Sequence, residues 1–239
     1  MVRNSHNVLA FEENADKDLY HELHELPLYG VFEFERNRLF TELATKQPCS
    51  QRLQFEQTLL PALPVIISNY AVIFPGSGRK DRKWSIKNFK SIAEFLHHSY
   101  KLNIVIAGGK SDEQDCTELE NILSFSSINI CAKTSLPQFV SLLSKASCLV
   151  SVDTGSVHLA AASGCTVYGL FNGSQYGRFS PYPEEITRNS FYSIYPDEIT
   201  NQEKNQNFYT KYQYYSSPGY NDISPEKVIK LISETLKIK

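Results

Sequence analysis

The chain has 239 residues, 41% of them hydrophobic and 12% aromatic, enough to bury a core as one large domain or two small ones. Its 24 Lys and Arg against 26 Asp and Glu give a formal net charge of −2, which removes the generic electrostatic case for a nucleic-acid partner. Glycine and proline, 11 of each, are too few for a low-complexity chain, and no stretch approaches the ~18 apolar residues of a membrane-spanning helix.

Met1 to Ala10 carries Arg3 and no apolar core, so no secretory signal is expected there. Within residues 1–69 one weak strand is expected at Asn7–Phe11 and helices around Asp16–Leu26 and Phe34–Thr45, with Pro61 and Pro64 marking a connection. His21 and His24 stand at i and i+3, whereas a zinc-protease helix needs i and i+4, so a solvated helix face is the expectation.

From Tyr70 onward short apolar runs alternate with helical periods. Ala71–Phe74 reads as a buried strand ended by the turn formers Pro75-Gly76-Ser77-Gly78, and Phe89, Ile92, Ala93 and Leu96 mark a helix. Ile104–Ala107 is a second strand closed by Gly108-Gly109, followed by helical Leu119, Ile122 and Leu123 and a short strand at Ile128–Ile130. Pro137 fits the first turn of a helix carrying Phe139, Leu142 and Leu143. Cys148–Val152 is a fourth strand, Val157–Ser163 a short helix and Thr166–Phe171 a fifth strand. Asn172 to Tyr220 is polar, tyrosine-rich and without clear period, and is expected to be a surface excursion packing over the sheet. Ser224-Pro225 opens a last helix through Val228, Ile229, Ile232 and Leu236. Apolar strands alternating with helices predict an α/β fold, a parallel sheet with helices on both faces, over residues 70–239.

The five cysteines (Cys49, Cys116, Cys131, Cys148, Cys165) form no C-x-x-C pair, and four lie in apolar surroundings. They predict free thiols and a reducing, cytoplasmic location. Three motif matches fail. Gly109-Lys110-Ser111 lacks the glycine of a P-loop five residues before Gly109, where Ile104 stands. Gly76-Ser77-Gly78 lacks the third glycine of a dinucleotide fingerprint, where Asp81 stands. His97-His98 has no acidic or cysteine partner at ligand spacing and is expected at the surface.

Three loops follow strands on one edge of the expected sheet, where open α/β sheets bind ligands. Pro75–Ser85 starts small and then carries Arg79, Lys80, Arg82 and Lys83 against Asp81; it reads as a phosphate-facing loop or as a solvated basic one. Gly108–Glu113 opens a helix with Asp112 and Glu113, acids that can hold a ribose diol or simply favour a first turn. Val152–His158 runs from strand into helix, so its N–H groups and dipole suit an anion. Asp153 there would cap the helix or pair with a cation such as Lys83, and His158 lies one turn in, either functional or packed. Together the loops point to a diphosphate-bearing ligand.

The order and wording of these loops resemble glycosyltransferase family 9, the heptosyltransferase-type enzymes of lipopolysaccharide core assembly. The resemblance covers about Val72 to Pro183 and the closing helix: Pro75-Gly76-Ser77 with Lys83-Trp84-Ser85, Gly108-Gly109 leading to Glu113, Lys133-Thr134-Ser135-Leu136, and Asp153-Thr154-Gly155-x-x-His158 before Ala161. Glu35–Phe40 resembles a segment near the end of that family's first domain. It implies a Rossmann-like sheet similar to the C-terminal, donor-binding domain of the two-domain GT-B architecture, here residues 70–239. Residues 1–69 then form a shortened acceptor-side segment and linker. Carried over by position, Ser77 and Gly78 approach the donor phosphates, Lys83 neutralises them and Glu113 holds the ribose. Asp153, Thr154 and Gly155 line the diphosphate, and His158 supports that loop. The implied reaction is inverting transfer of a sugar from a nucleoside-diphosphate donor, ADP-heptose-like, to a glycolipid or saccharide acceptor. No metal, cofactor or nucleic acid is implied, and peripheral contact with the inner membrane face is expected. Nothing in the context of Glu12, Glu13, Asp16 or Asp18 nominates a general base, so no catalytic residue is assigned. A nucleotide-sugar-binding protein without transfer activity, and a Rossmann-like oxidoreductase or epimerase, are the competing readings.

Overall fold

The computed structural model describes residues 9–11, 22–24, 31–63, 67–187, 190–202, 212 and 218–237. The apolar runs from Tyr70 onward become strands of one sheet: β3 (Tyr70–Phe74), β4 (Asn103–Ile106), β5 (Ile128–Asn129), β6 (Cys148–Val152), β7 (Val167–Leu170) and β8 (Phe191–Ile194). All pairings are parallel, in the order β5-β4-β3-β6-β7-β8. Two strands outside this sheet, β1 (Leu9–Phe11) and β2 (Glu22–His24), pair with each other in parallel.

The helices are α1 (Glu33–Thr45), α2 (Ile86–Tyr100), α3 (Glu113–Ile122), α4 (Leu136–Lys145), α5 (Gly155–Ser163), α6 (Asp197–Gln202) and α7 (Pro225–Thr235). Successive strand residues face opposite sides, so each strand feeds two cores. Ala71, Ile73, Ile104, Ile106 and Val150 pack with Ile92 and Leu96 of α2, Leu119 of α3 and Ile232 of α7. Tyr70, Val72, Val105 and Leu149 pack with Leu142 and Leu143 of α4 and Ala160 of α5 on the other face. With both faces covered, the strands need no polar side, which explains their near-continuous apolar runs.

Local signals act where the sequence placed them. The Ser224 hydroxyl accepts the Lys227 N–H at the start of α7, and Ser135 and Gln138 form a reciprocal capping box at α4. Cys116, Cys131, Cys148 and Cys165 are buried free thiols, and burial drives the Cys148 thiol up to about 12.

Three expectations need correction. Glu22–His24, expected within a helix, is a strand paired with Leu9–Phe11; the rest of Asp16–Leu26 lies outside the described residues. Asn172–Tyr220 does more than cross the surface, since it supplies β8 as an edge strand, α6, and the buried Tyr176, Tyr182, Tyr195 and Tyr212. His97, expected at the surface, is half-buried, its ring stacked 3.8 Å from Phe125 and its Nδ1 3.0 Å from the Leu102 carbonyl.

The segment before β3 binds along the α4–α5 side. Leu53 donates its N–H to Ile186, Phe55 donates to Ala162, and Ser141 donates its hydroxyl to Pro61. At α1, the Glu33 N–H donates to the Arg178 carbonyl, and the Arg178 guanidinium returns to the Glu33 carboxylate at 2.7 Å. Among the described residues no helix is long and apolar enough to cross a membrane.

Candidate functional site

β3 lies at the middle of the sheet, and the chain leaves it toward β4 on one side and returns through β6 on the other. At such a switch point the loops after the two central strands diverge and leave a crevice at the carboxyl edge. The loops beginning at Pro75 and Asp153 flank it, and a cavity of about 290 Å³ opens beside them, walled by Phe74, Gly109, Thr134, Leu136, Thr154 and Gly155.

The loops after β3 and β4 are interlocked. Asp112 is buried and its carboxylate accepts the Gly109 N–H at 2.8 Å. Gly76 rests against that same carboxyl, where a Cβ would overlap it. Gly78 is exposed, with open space where a Cβ would stand, and the buried Ser77 hydroxyl accepts the Arg79 N–H at 3.4 Å. Glu113, the first residue of α3, is exposed on the same edge.

The four cations of the first loop part company. Arg79 pairs with Asp81 at the surface, at 2.8 Å. Arg82 reaches Asp153 at 3.6 Å, while Lys83 turns to Asp115 of α3 at 2.6 Å. The pairing of Asp153 with Lys83 is therefore replaced by one with Arg82. Lys83 has extended dihedrals (φ −91°, ψ 132°) after a 3₁₀ turn over Lys80–Arg82, and adjacent side chains on extended backbone point apart. On the far side of Lys83, Trp84 is fully buried and donates its indole N–H to the Ile223 carbonyl at 2.9 Å; the Ser85 N–H meets Asn221 at 2.8 Å.

At the end of β6, Asp153 does not cap the helix. Thr154 occupies the N-cap position with extended backbone, and its hydroxyl joins Ser156 at 2.8 Å, which in turn donates to Ser151 at 2.8 Å. Gly155 has open space at its Cβ position and α5 begins there, so the positive end of the helix faces the cavity. Burial raises the Asp153 carboxyl above the usual carboxylate range, and Arg82 opposes that shift. The buried phenols of Tyr182 and Tyr220 both feel the Asp153 charge.

His158 sits one turn into α5, half-buried, with Nδ1 hydrogen-bonded to the Tyr182 hydroxyl. Enclosure lowers its imidazole to about 4, so the ring is neutral at physiological pH. Among the described residues no three His, Cys, Asp or Glu side chains converge as a metal site.

The residues singled out from sequence thus share one edge of the sheet, but in different settings: Thr154 and Gly155 in the cavity wall, Lys83 and Asp153 in ion pairs, Glu113 in solvent, His158 behind the turn. Sequence reasoning did not single out Asp115, Tyr182 or Tyr220. No local spacing ties Asp115 to Lys83, and the two tyrosines lie among many others in an aperiodic stretch.

The model of glycosyltransferase family 9 (heptosyltransferase) matches residues 19–209 of the chain. A lipopolysaccharide core heptosyltransferase, OpsX, of Haemophilus influenzae is 27% identical over 113 residues, 46% of this chain and 32% of that protein. A lipooligosaccharide heptosyltransferase 2 of Campylobacter jejuni is 26% identical over 183 residues, 71% of this chain and 53% of that protein. The chain therefore spans about a third and about half the length of these two curated relatives. The structure of E. coli ADP-heptose LPS heptosyltransferase II superposes with a TM-score of 0.67 at 17% identity, covering 95% of this chain and 69% of that one.

Proposed function

The chain belongs to glycosyltransferase family 9, and from that premise we propose that it transfers a heptose-like sugar from an ADP-sugar donor to a hydroxyl of a lipopolysaccharide-core acceptor. The observation that carries this reading is the crevice between β3 and β6, where the N-terminus of α5 opens onto the cavity at Thr154 and Gly155 and the adjoining β3 loop carries Arg82 and Lys83. The names of the two curated relatives support the sugar and acceptor class.

In this reading residues 70–239 hold the donor and residues 1–69 belong to the acceptor side. Ser77 and Gly78 admit the diphosphate close to the backbone, and Lys83 and the start of α5 at Thr154 and Gly155 balance its charge. Asp153 is faced by Arg82 at 3.6 Å, and that cation offsets the repulsion its carboxylate exerts on the anion. Glu113, exposed at the start of α3, accepts from the ribose diol in this reading, and His158 backs the turn through Tyr182.

The reaction forms one bond and breaks one. The acceptor oxygen attacks the anomeric carbon, and the bond from that carbon to the diphosphate oxygen breaks with inversion. The electron pair leaves on the nucleoside diphosphate, where the helix dipole and Lys83 stabilise it. The acceptor proton passes to a base to which no residue is assigned. The buried free thiols support a cytoplasmic location in this reading, with the acceptor met at the inner membrane face.

Calorimetry with ADP-, GDP- and UDP-sugars tests the reading, followed by a transfer assay on a lipid A–core acceptor. Binding of the ADP-sugar with transfer is expected. No binding to any of the three overturns the proposal, and binding without transfer reduces it to a nucleotide-sugar-binding role.

A further inference from the structure

Lys83 is held at both ends by the protein's own residues. Its backbone is fixed by Trp84, which is fully buried, donates to Ile223 and meets the Phe89 ring edge-on at 4.9 Å. Its ammonium is fixed by Asp115, whose carboxylate lies 2.6 Å away and is only 12% exposed, against 40% for the lysine side chain. The acid thus sits inside, in the first turn of α3, and the lysine crosses from the β3 loop to reach it.

A free lysine on a surface loop samples many rotamers and loses that freedom on meeting an anion. Here the contact with Asp115 restricts that freedom without the anion's help. An ammonium carries three N–H donors, and one contact with Asp115 leaves donors on the exposed side of the group for a second anion. Arg82, the adjacent cation, is held more loosely by Asp153 at 3.6 Å. The loop therefore presents one firmly anchored cation and one loosely held neighbour.

We propose that Asp115 is a positioning residue for the donor site: it anchors Lys83 so that its remaining N–H groups face the diphosphate, and does not compete with that diphosphate for the lysine. The inference rests on the nucleotide-diphosphate reading of the crevice and adds a residue outside the loops that carry it. Asp115 acts through Lys83 and touches neither donor nor acceptor.

The test is a double-mutant cycle on the full chain, with ADP as the probe and calorimetric Kd as the readout. Asp115→Asn keeps the shape and removes the charge; Lys83→Ala removes the anchored group. Immobilising one long side chain corresponds to about a threefold to tenfold change in affinity, so Asp115→Asn is expected to weaken ADP by that factor. In the Lys83→Ala background the same substitution is expected to change nothing. Unchanged or tighter ADP binding in Asp115→Asn overturns the proposal, the tighter case identifying Asp115 as a competitor. Equal weakening in both backgrounds also overturns it, since the role is then general support of the fold. Failure of the unsubstituted chain to bind ADP removes the nucleotide reading itself, and this inference with it. Asp115→Glu keeps the charge and is expected to recover part of the loss, which a merely structural role would not produce.

Discussion

The imidazole of His158 and the phenol of Tyr182 share a hydrogen bond that joins the first turns of α5 to the loop following β7. Tyr182 is itself stacked on Phe191 of β8 at 4.0 Å and met edge-on by Phe32 just before α1. One tyrosine therefore links the turn at Thr154 and Gly155 to the sheet edge and to α1. Tyr182→Phe keeps the ring and removes the hydroxyl, leaving the imidazole without that partner. A loss of about 1–3 kcal/mol is expected in denaturant unfolding, with a smaller change in the far-ultraviolet spectrum than any aromatic-to-alanine change would give.

The same histidine predicts an acid limb in the stability profile. Folding holds the His158 imidazole neutral down to about 4, whereas an unfolded chain protonates it near the ordinary imidazole value of about 6.5. Between those values the unfolded state binds more protons, so stability is full above about pH 6.5 and falls as the pH is lowered toward 4. The contribution is about 3 kcal/mol. His158→Gln should flatten that limb in urea melts taken between pH 7 and 4, and an unaltered slope would assign the limb to other groups.

Two glycines two residues apart should behave oppositely. A Cβ at Gly76 overlaps the Asp112 carboxyl, which holds the Gly109 N–H, so Gly76→Ala is expected to cost about 1–3 kcal/mol through displacement of that buried acid. A Cβ at Gly78 meets nothing within 4 Å. Gly78→Ala should leave the melting temperature within about a degree or two and weaken ADP binding, because in the proposed donor reading the methyl group enters the space the diphosphate takes. Thermal unfolding and calorimetry on the pair read the two effects separately.

The chain has one tryptophan, and it is the neighbour of Lys83. Its emission should be blue-shifted in the folded protein, since Trp84 is 1% exposed, and should change when an anion reaches the loop. Trp84→Phe removes the indole donor to Ile223 and leaves a void against Phe89, at an expected cost of about 2–4 kcal/mol by thermal melt.

Ser135 and Ser224 are both helix N-caps, and each should cost about 1 kcal/mol when changed to Ala. Only Ser135 lines the cavity beside Thr134 and Leu136. Equal destabilisation with loss of ADP affinity in Ser135→Ala alone is the expected pattern in parallel melts and titrations.

Most of the sheet is legible from sequence because burial on both faces writes itself as short apolar runs, as in Ala71–Phe74 and Cys148–Val152. β8 is not, because Phe191-Tyr192-Ser193-Ile194 lies at the edge, is mostly half-buried, and sits among residues rich in tyrosine and turn formers. Glu22–His24 reads as helical from its surroundings and becomes a strand only through its pairing with Leu9–Phe11, a non-local fact. The site divides in the same way. Its loops are visible as turn residues after strands, but side-chain direction within them is not. Lys83 and Arg82 are both cations in the sequence, and the change from the 3₁₀ turn at Arg82 to extended backbone at Lys83 sends them to different acids.

The position of β3 also bears on how the molecule is made. Tyr70–Phe74 is synthesised first among the six strands, and its β4 neighbour follows closely, whereas Ala71 must wait for Cys148 before its other edge is paired. At ordinary translation rates that edge stays open on the order of seconds, with its amide and carbonyl rows available to any passing strand. The two walls of the crevice meet only when that wait ends, so a nascent chain stalled before β6 holds half of a site and an adhesive edge.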